Sequence, residues 1–264
     1  MAFLPRFAHH LANRNADDGP TVLDRVLAPE NAGGRDHPAE QRASAAEPSW
    51  DVRPLPVATS WRLLGHLRAF TGGVQMPKVL IITGDGAESL EVMYPYQRLV
   101  EEGYEVDIAA VEKKKLQFVV HDFSPDFDTY TEKPGYAWPA DVAFADVEPA
   151  DYAALVIPGG RAPEYIRNDP DCQRIVRHFY ETDAPVAQLC HGPLIPAAAR
   201  VLAGRRTAAY PELEPDVTLA GAEFVDAAAV VDGQVVSGRA WNDHPAWMHE
   251  FMHILQAKAE RPVV

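Results

Sequence analysis

A cysteine and a histidine, Cys190 and His191, stand between two patterned stretches of the chain. The apolar run 186–189 predicts a buried strand, and apolar residues recurring over 194–202 predict a helix. A cysteine on so short a strand-to-helix turn meets unpaired N–H groups of the helix, which favour its thiolate. The arrangement is that of a nucleophile elbow with sulfur in place of a serine oxygen. It predicts nucleophilic catalysis, and the alternative is a buried cysteine beside a capping histidine.

The elements that must position this pair alternate along the chain from residue 78. Buried strands are predicted at 79–83, 105–111, 154–157 and 186–189, and helices at 88–102, 163–182 and 243–258. This alternation predicts an α/β fold with a doubly wound, mainly parallel sheet and helices on both faces. Asp232-Gly233 predicts a hairpin turn, and residues 112–150 are expected to be irregular.

Three further residues follow strands that end at the same edge of the predicted sheet. Glu88 opens the first helix, and Gly159 and Gly160 follow the third strand. Because ligands of such sheets bind beyond the carboxyl ends of the strands, we expect these residues close to Cys190. Glycines let backbone N–H groups approach a substrate closely, as an oxyanion hole requires. The alternatives are a glutamate that complements the helix dipole and a simple tight turn.

Composition and charge limit the partners. The net charge is −14, and because residues 1–75 carry eight arginines and eight acidic residues, the excess lies on residues 76–264. This distribution argues against nucleic acid or an anionic membrane as a partner. No apolar run has the length of a membrane span. Two cysteines, Cys172 and Cys190, form no disulfide framework, which fits a reducing cytoplasm.

The chain divides near Met76. Residues 1–75 have no lysine and seven prolines, and we expect a mostly disordered extension there. The catalytic domain is predicted over 76–264. An alternative is that Met76 is the natural start.

A second motif, His249-Glu250-Phe251-Met252-His253, has the spacing of zinc proteases. Only eleven residues follow His253, and Glu260 is not at the usual spacing for a third ligand. We therefore expect no metal site. Cys172, in a polar helical pattern, is expected to take no part in the chemistry.

Four blocks of the sequence together resemble the ThiJ/PfpI superfamily; they cover residues 78–83, 94–96, 156–164 and 188–193. The resemblance extends from about Met76 to about Ala257. The superfamily includes PfpI-type intracellular proteases, a parkinsonism-associated deglycase and glutathione-independent glyoxalases. Residues 122–136 and 240–245 are most similar to the plant two-domain members with glyoxalase activity. The resemblance implies a flavodoxin-like domain, similar to class I glutamine amidotransferases.

The resemblance also implies a role for each matching residue. Cys190 is the expected nucleophile, and Glu88 the acid that hydrogen-bonds to it and moves protons. His191 matches the histidine after the nucleophile. Glu164 matches a carboxylate that reaches this histidine from a neighbouring subunit, which implies a homo-oligomer. The expected anion-binding backbone comprises Gly159, Gly160 and Leu189.

The activity implied is cofactor-free conversion of a small reactive aldehyde. In such a glyoxalase or deglycase, a 2-oxoaldehyde such as methylglyoxal becomes a 2-hydroxy acid. Two alternatives stay open. One is a PfpI-type intracellular cysteine peptidase or amidase, and the other is a non-enzymatic stress protein that senses oxidants or holds unfolded clients.

Overall fold

The computed structural model describes residues 77–259. The predicted extension over 1–75 lies outside the described residues. The strands are β1 (Lys78–Ile82), β2 (Glu105–Ala110), β3 (Lys115–Phe123), β4 (Tyr130–Pro139), β5 (Val142–Ala143), β6 (Ala154–Ile157), β7 (Val186–Leu189), β8 (Arg206–Thr207), β9 (Glu223–Phe224), β10 (Val230–Asp232) and β11 (Val235–Gly238). The helices are α1 (Ser89–Glu101), α2 (Ala162–Ile166), α3 (Pro170–Glu181), α4 (Leu194–Ala198), α5 (Glu214–Leu219) and α6 (His244–Ala259).

A seven-stranded sheet organises these elements in the order β10-β11-β7-β6-β1-β2-β5. All neighbouring pairs are parallel except β10 with β11, which form the hairpin predicted at Asp232-Gly233. The central strands β6 and β7 are buried along their whole length, as continuous apolar runs require in a parallel sheet. β1, β6 and β7 are adjacent, so their carboxyl ends meet at one edge.

Helices cover both faces of this sheet. One core cluster joins alternate residues of β1 (Val79, Ile81) to helices α1 and α6, and the other joins Leu80 and Ile82 to α3, α4 and α5. The predicted α/β fold, a doubly wound and mainly parallel sheet, is confirmed. None of the described helices is both long and apolar enough to cross a membrane.

The prediction of an irregular segment over 112–150 is wrong. Strands β3 and β4 form a long antiparallel hairpin there, and β5 adds an edge strand to the central sheet. The alternation of buried residues in β3 (Leu116, Phe118) breaks at a register shift between Gln117 and Val119. This bulge and the mostly exposed β4 hide the period-two pattern that identifies a strand.

Other element boundaries differ in smaller ways. The helix predicted over 163–182 is interrupted before Pro170 and forms α2 and α3. The helix after the elbow ends at Ala198 instead of residue 202, and α5 was not predicted. Phe224 pairs in a separate two-stranded sheet of β8 and β9 and does not extend the hairpin.

Candidate active site

Cys190 lies directly after β7 in a left-handed conformation, with φ 57°. This conformation is uncommon for a residue with a side chain, and it bends the chain sharply into the turn before α4. Gly192 N–H closes the turn on Leu189 O at 2.7 Å, and Tyr210 N–H donates to Cys190 O at 3.0 Å. The backbone is therefore that of a nucleophile elbow, with the thiol only 3% exposed.

Glu91, in the first turn of α1, places its carboxyl group beside this thiol. The side chain is fully buried, and Oε2 accepts a hydrogen bond from Gly159 N at 2.8 Å. Oε1 is buried without a hydrogen-bond partner among the described residues. The pKa of Glu91 is raised to about 8, mainly by burial and secondly by the nearby Glu88 carboxylate. The group is therefore mostly neutral at pH 7.

Glu88, expected to hydrogen-bond to Cys190, caps helix α1. Its Oε2 accepts hydrogen bonds from Leu90 N at 2.7 Å and Glu91 N at 2.9 Å, which satisfies two of the unpaired donors at the helix start. Burial is the main cause of the raised pKa of this carboxylate, and the backbone N–H of His121 is among the donors that lower it. In the structure the carboxyl group that interacts with the thiol is that of Glu91.

The thiol of Cys190 and the carboxyl group of Glu91 form a coupled pair. Burial raises the pKa of the Cys190 thiol well above its usual range, and a charged Glu91 would raise it further. The N–H groups of Gly160 and His191 hydrogen-bond to the sulfur and lower this pKa. Two adjacent buried acids do not readily ionise together, so the pair holds at most one negative charge. The backbone donors, with a neutral Glu91, favour the sulfur as its location.

The pair Gly159-Gly160 lines the sulfur, as predicted, and neither position has room for a side chain. A Cβ on Gly159 would lie 2.5 Å from Cys190 Cβ and 2.6 Å from Glu91 Oε2. Gly160 has φ 72°, and a Cβ there would lie 2.3 Å from Glu88 N. The two glycines let the loop after β6 touch both the elbow and the start of α1.

A cluster of histidine and tyrosine rings lies next to the elbow. His191 Nδ1 lies 3.3 Å from Cys190 Sγ, and the His191 ring stacks on Tyr210 with centroids 5.2 Å apart. Tyr130 of β4 lies nearly perpendicular to both rings. Burial, assisted by the nearby His121, lowers the pKa of His191 to about 4. The imidazole is therefore neutral at physiological pH. Tyr130, Tyr210 and His121 were not among the predicted site residues.

Glu164 is exposed on α2 and has no hydrogen bond or ion pair with His191 within the described part of the chain. Its charge acts on Tyr130, so it lies on the same side of the molecule as the ring cluster. Leu189 is fully buried and contributes its carbonyl group to the elbow turn.

The two remaining sequence features lie away from the elbow. His249 and His253 are adjacent on α6, with ring centroids 4.1 Å apart. Across residues 77–259, no group of three or more potential ligand side chains could hold a metal ion. Cys172 is fully buried in α3, and burial raises its pKa far above the usual range.

Comparison with known proteins agrees with this architecture. A deglycase of Thermococcus kodakarensis is 42% identical over 179 residues, covering 68% of this chain and 99% of the relative. Protein DJ-1 homolog D of Arabidopsis thaliana is 40% identical over 185 residues, or 47% of that longer protein.

Solved structures share the fold. A two-domain protein of Anabaena variabilis with DJ-1/ThiJ/PfpI-like and ferritin-like domains matches with a TM-score of 0.62 and 26% identity, over 68% of this chain and 48% of that one. Schizosaccharomyces pombe DJ-1 matches with a TM-score of 0.55 over 71% of this chain and 99% of its own, and at 15% identity it supports the fold alone. The family model described as the DJ-1/PfpI family matches residues 77–254. This chain therefore belongs to the DJ-1/PfpI family.

Proposed function

We propose that this protein is a cysteine-dependent deglycase or glutathione-independent glyoxalase that converts 2-oxoaldehydes such as methylglyoxal to 2-hydroxy acids. One observation carries the proposal: a buried, mostly neutral Glu91 with one unpartnered carboxyl oxygen lies beside Cys190 on a nucleophile elbow. Archaeal relatives that are named deglycases, about 40% identical over nearly their whole length, support the same class of activity.

The first step is the addition of sulfur to the aldehyde carbon. Cys190 Sγ forms a bond to this carbon while the aldehyde oxygen takes the proton of Glu91, which gives a hemithioacetal. The N–H groups of Gly160 and His191 stabilise the thiolate that attacks and so oppose the effect of burial on the thiol pKa. Glu91 is left as a carboxylate and is ready to act as a base.

In the second step Glu91 moves a proton between two carbons. The carboxylate removes the hydrogen of the carbon bonded to sulfur and returns it to the neighbouring carbon. The hydroxyl proton on the carbon bonded to sulfur passes to the oxygen of the neighbouring carbon, so the first carbon becomes a thioester carbonyl and the neighbouring carbonyl becomes a hydroxyl group. Water then adds to the thioester, the carbon–sulfur bond breaks, and Cys190 is regenerated with release of the 2-hydroxy acid.

A peptidase or amidase is the second candidate, because Cys190 and His191 are adjacent at 3.3 Å. Its histidine must protonate a leaving amine, and because the pKa of His191 is lowered to about 4, almost none of the imidazole carries that proton at neutral pH. Glu164 from a neighbouring subunit would correct this by stabilising the charged imidazole. This candidate therefore requires a homo-oligomer, which light scattering tests directly.

The deciding experiment measures methylglyoxal consumption together with formation of D- and L-lactate. We expect lactate from the parent protein and none from the Cys190→Ser variant, with peptide cleavage assayed in parallel. Peptide cleavage without lactate would favour the second candidate. If neither reaction depends on Cys190, a non-enzymatic redox or chaperone role is the better explanation.

A further inference from the structure

His121 is a buried histidine of the β3–β4 hairpin that the mechanism above does not use. It is 8% exposed, and its ring stacks on Tyr130 with centroids 4.2 Å apart. Tyr130 in turn lies nearly perpendicular to the rings of His191 and Tyr210, with centroids 6.1 and 5.7 Å apart. Four contacting rings therefore connect His121 to the elbow, and His121 acts electrostatically on His191.

The Nε2 atom of His121 is buried and has no hydrogen-bond partner among the described residues. A buried polar atom without a partner costs about 1–3 kcal/mol, so native proteins rarely retain one without a ligand or water. The nearest charged neighbours do not supply the partner, because Glu132 accepts a hydrogen bond from Arg161 Nε at 2.5 Å. Burial lowers the pKa of His121, so the ring is neutral and can donate one N–H.

The proposed reaction needs such a donor at a definite place. When Glu91 removes the proton from the carbon bonded to sulfur, negative charge develops on the oxygen of the neighbouring carbon. The N–H groups of Gly160 and His191 are directed at the sulfur, so they do not serve this second oxygen. A donor on the far side of the substrate would stabilise the charge as it forms.

We propose that His121 is a substrate-binding catalytic residue whose Nε2–H donates a hydrogen bond to the second oxygen of the bound 2-oxoaldehyde. The inference rests on the proposed function and deepens it. The ligand chemistry is that of a compound with two oxygens on adjacent carbons. A simple monoaldehyde has no oxygen in this position and gains nothing from His121.

The test compares three variants in the full chain. His121→Phe keeps a ring against Tyr130 but removes the donor, and His121→Gln restores an N–H. His244→Phe is the matched control, because His244 is also buried, stacks on Tyr94 and has an unpartnered Nε2. We expect kcat for methylglyoxal to fall about a hundredfold in His121→Phe, the scale of losing one such donor. His121→Gln should recover at least half of that loss on a logarithmic scale, and His244→Phe should stay within about twofold of the parent.

A measurement that does not depend on turnover distinguishes substrate binding by His121 from a purely structural role of this residue. Alkylation of Cys190 by iodoacetamide should proceed at the parental rate in His121→Phe, whereas protection by methylglyoxal should weaken. Parental turnover in His121→Phe, or an equal loss in His244→Phe, would overturn the inference, as would altered alkylation without methylglyoxal. If the parent forms no lactate, the proposed function fails. Protection by methylglyoxal that is weaker in His121→Phe than in the parent would then still support His121 as a binding residue. Equal protection in the two proteins, or no protection in the parent, would overturn the inference about His121.

Discussion

The two cysteines of this chain differ in their polar neighbours and hardly at all in burial. Cys172 in α3 is fully buried, Cys190 at the elbow is 3% exposed, and burial is the largest cause of the raised pKa in both. Among residues 77–259, no hydrogen-bond donor acts on the sulfur of Cys172, and the charge that acts on it is that of Asp169. Around Cys190 lie two backbone N–H donors, the Glu91 carboxyl group and His191 Nδ1. The polar groups arranged around a buried thiol, and not its burial, therefore make it a candidate nucleophile.

The sharpest test of this comparison is alkylation of the two thiols in one sample. We expect iodoacetamide at pH 7 to modify Cys190 faster than Cys172 by on the order of a thousandfold, because only Cys190 has donors that stabilise a thiolate. Peptide mass spectrometry over a time course gives both rates. Comparable rates for the two sites would remove the distinction on which the mechanism depends.

Glu91 provides the next largest effect. Glu91→Gln keeps the shape and the bond from Gly159 N–H but cannot carry a proton, so kcat for methylglyoxal should fall about a hundredfold or more. Glu88→Gln is the matched control: its amide oxygen can still cap α1, and we expect a loss below about tenfold. Steady-state assays of both purified variants measure the difference. A larger loss in Glu88→Gln would return the proton-carrying role to Glu88.

The two glutamates differ in how easily the sequence identifies them as site residues. Glu88 is visible because it opens a helix at the carboxyl end of a strand, and the structure does place it there. Glu91 is harder to identify, because a helical glutamate is ordinarily an exposed residue. Its signal is its position on the apolar stripe of α1, four and eight residues before the buried Pro95 and Leu99.

The same contrast holds for the fold. The buried runs β1, β6 and β7 are recognisable because both faces of a parallel sheet exclude polar residues. The β3–β4 hairpin is not, because its bulge and its solvent-facing side chains erase the alternation. Residues that the hairpin adds to the site, Tyr130 and His121, could not be identified before their strands were placed.

The pH dependence of catalysis gives a smaller but directional effect. The pKa of Glu91 is about 8 and its neutral form is needed when sulfur adds, so kcat/KM for methylglyoxal should fall as pH rises above about 8. The Glu88 carboxylate helps to raise this pKa, so Glu88→Gln should shift the descending limb to lower pH. Rate profiles from pH 6 to 10 measure the shift. A shift to higher pH would contradict the assigned coupling.

The smallest expected effect concerns stability. The pKa of Glu91 rises from 4.5 to about 8 on folding, so between these values the native state binds a proton that the unfolded chain does not. The free energy of unfolding therefore falls as pH rises through this window. Glu91→Gln lacks this penalty. The difference between its melting temperature and that of the parent should therefore shift in favour of the variant by a few degrees between pH 5 and pH 8. Differential scanning fluorimetry at both pH values measures this difference, and a constant gap would show that Glu91 is already ionised.

The β3–β4 hairpin has a consequence for how such an enzyme can diversify. Cys190, Glu91 and the two glycines belong to the central sheet and its direct connections, whereas His121 and Tyr130 belong to a two-stranded sheet of its own. Leu116 and Phe118 anchor this hairpin in the core, and hydrogen bonds join it to the start of α1, among them Ser89 Oγ to Val119 O at 2.8 Å and Val119 N to Ala87 O at 2.8 Å. Substitutions on the outer side chains of the hairpin can therefore change the residues around His121 and Tyr130 while Cys190, Glu91 and the two glycines stay as they are.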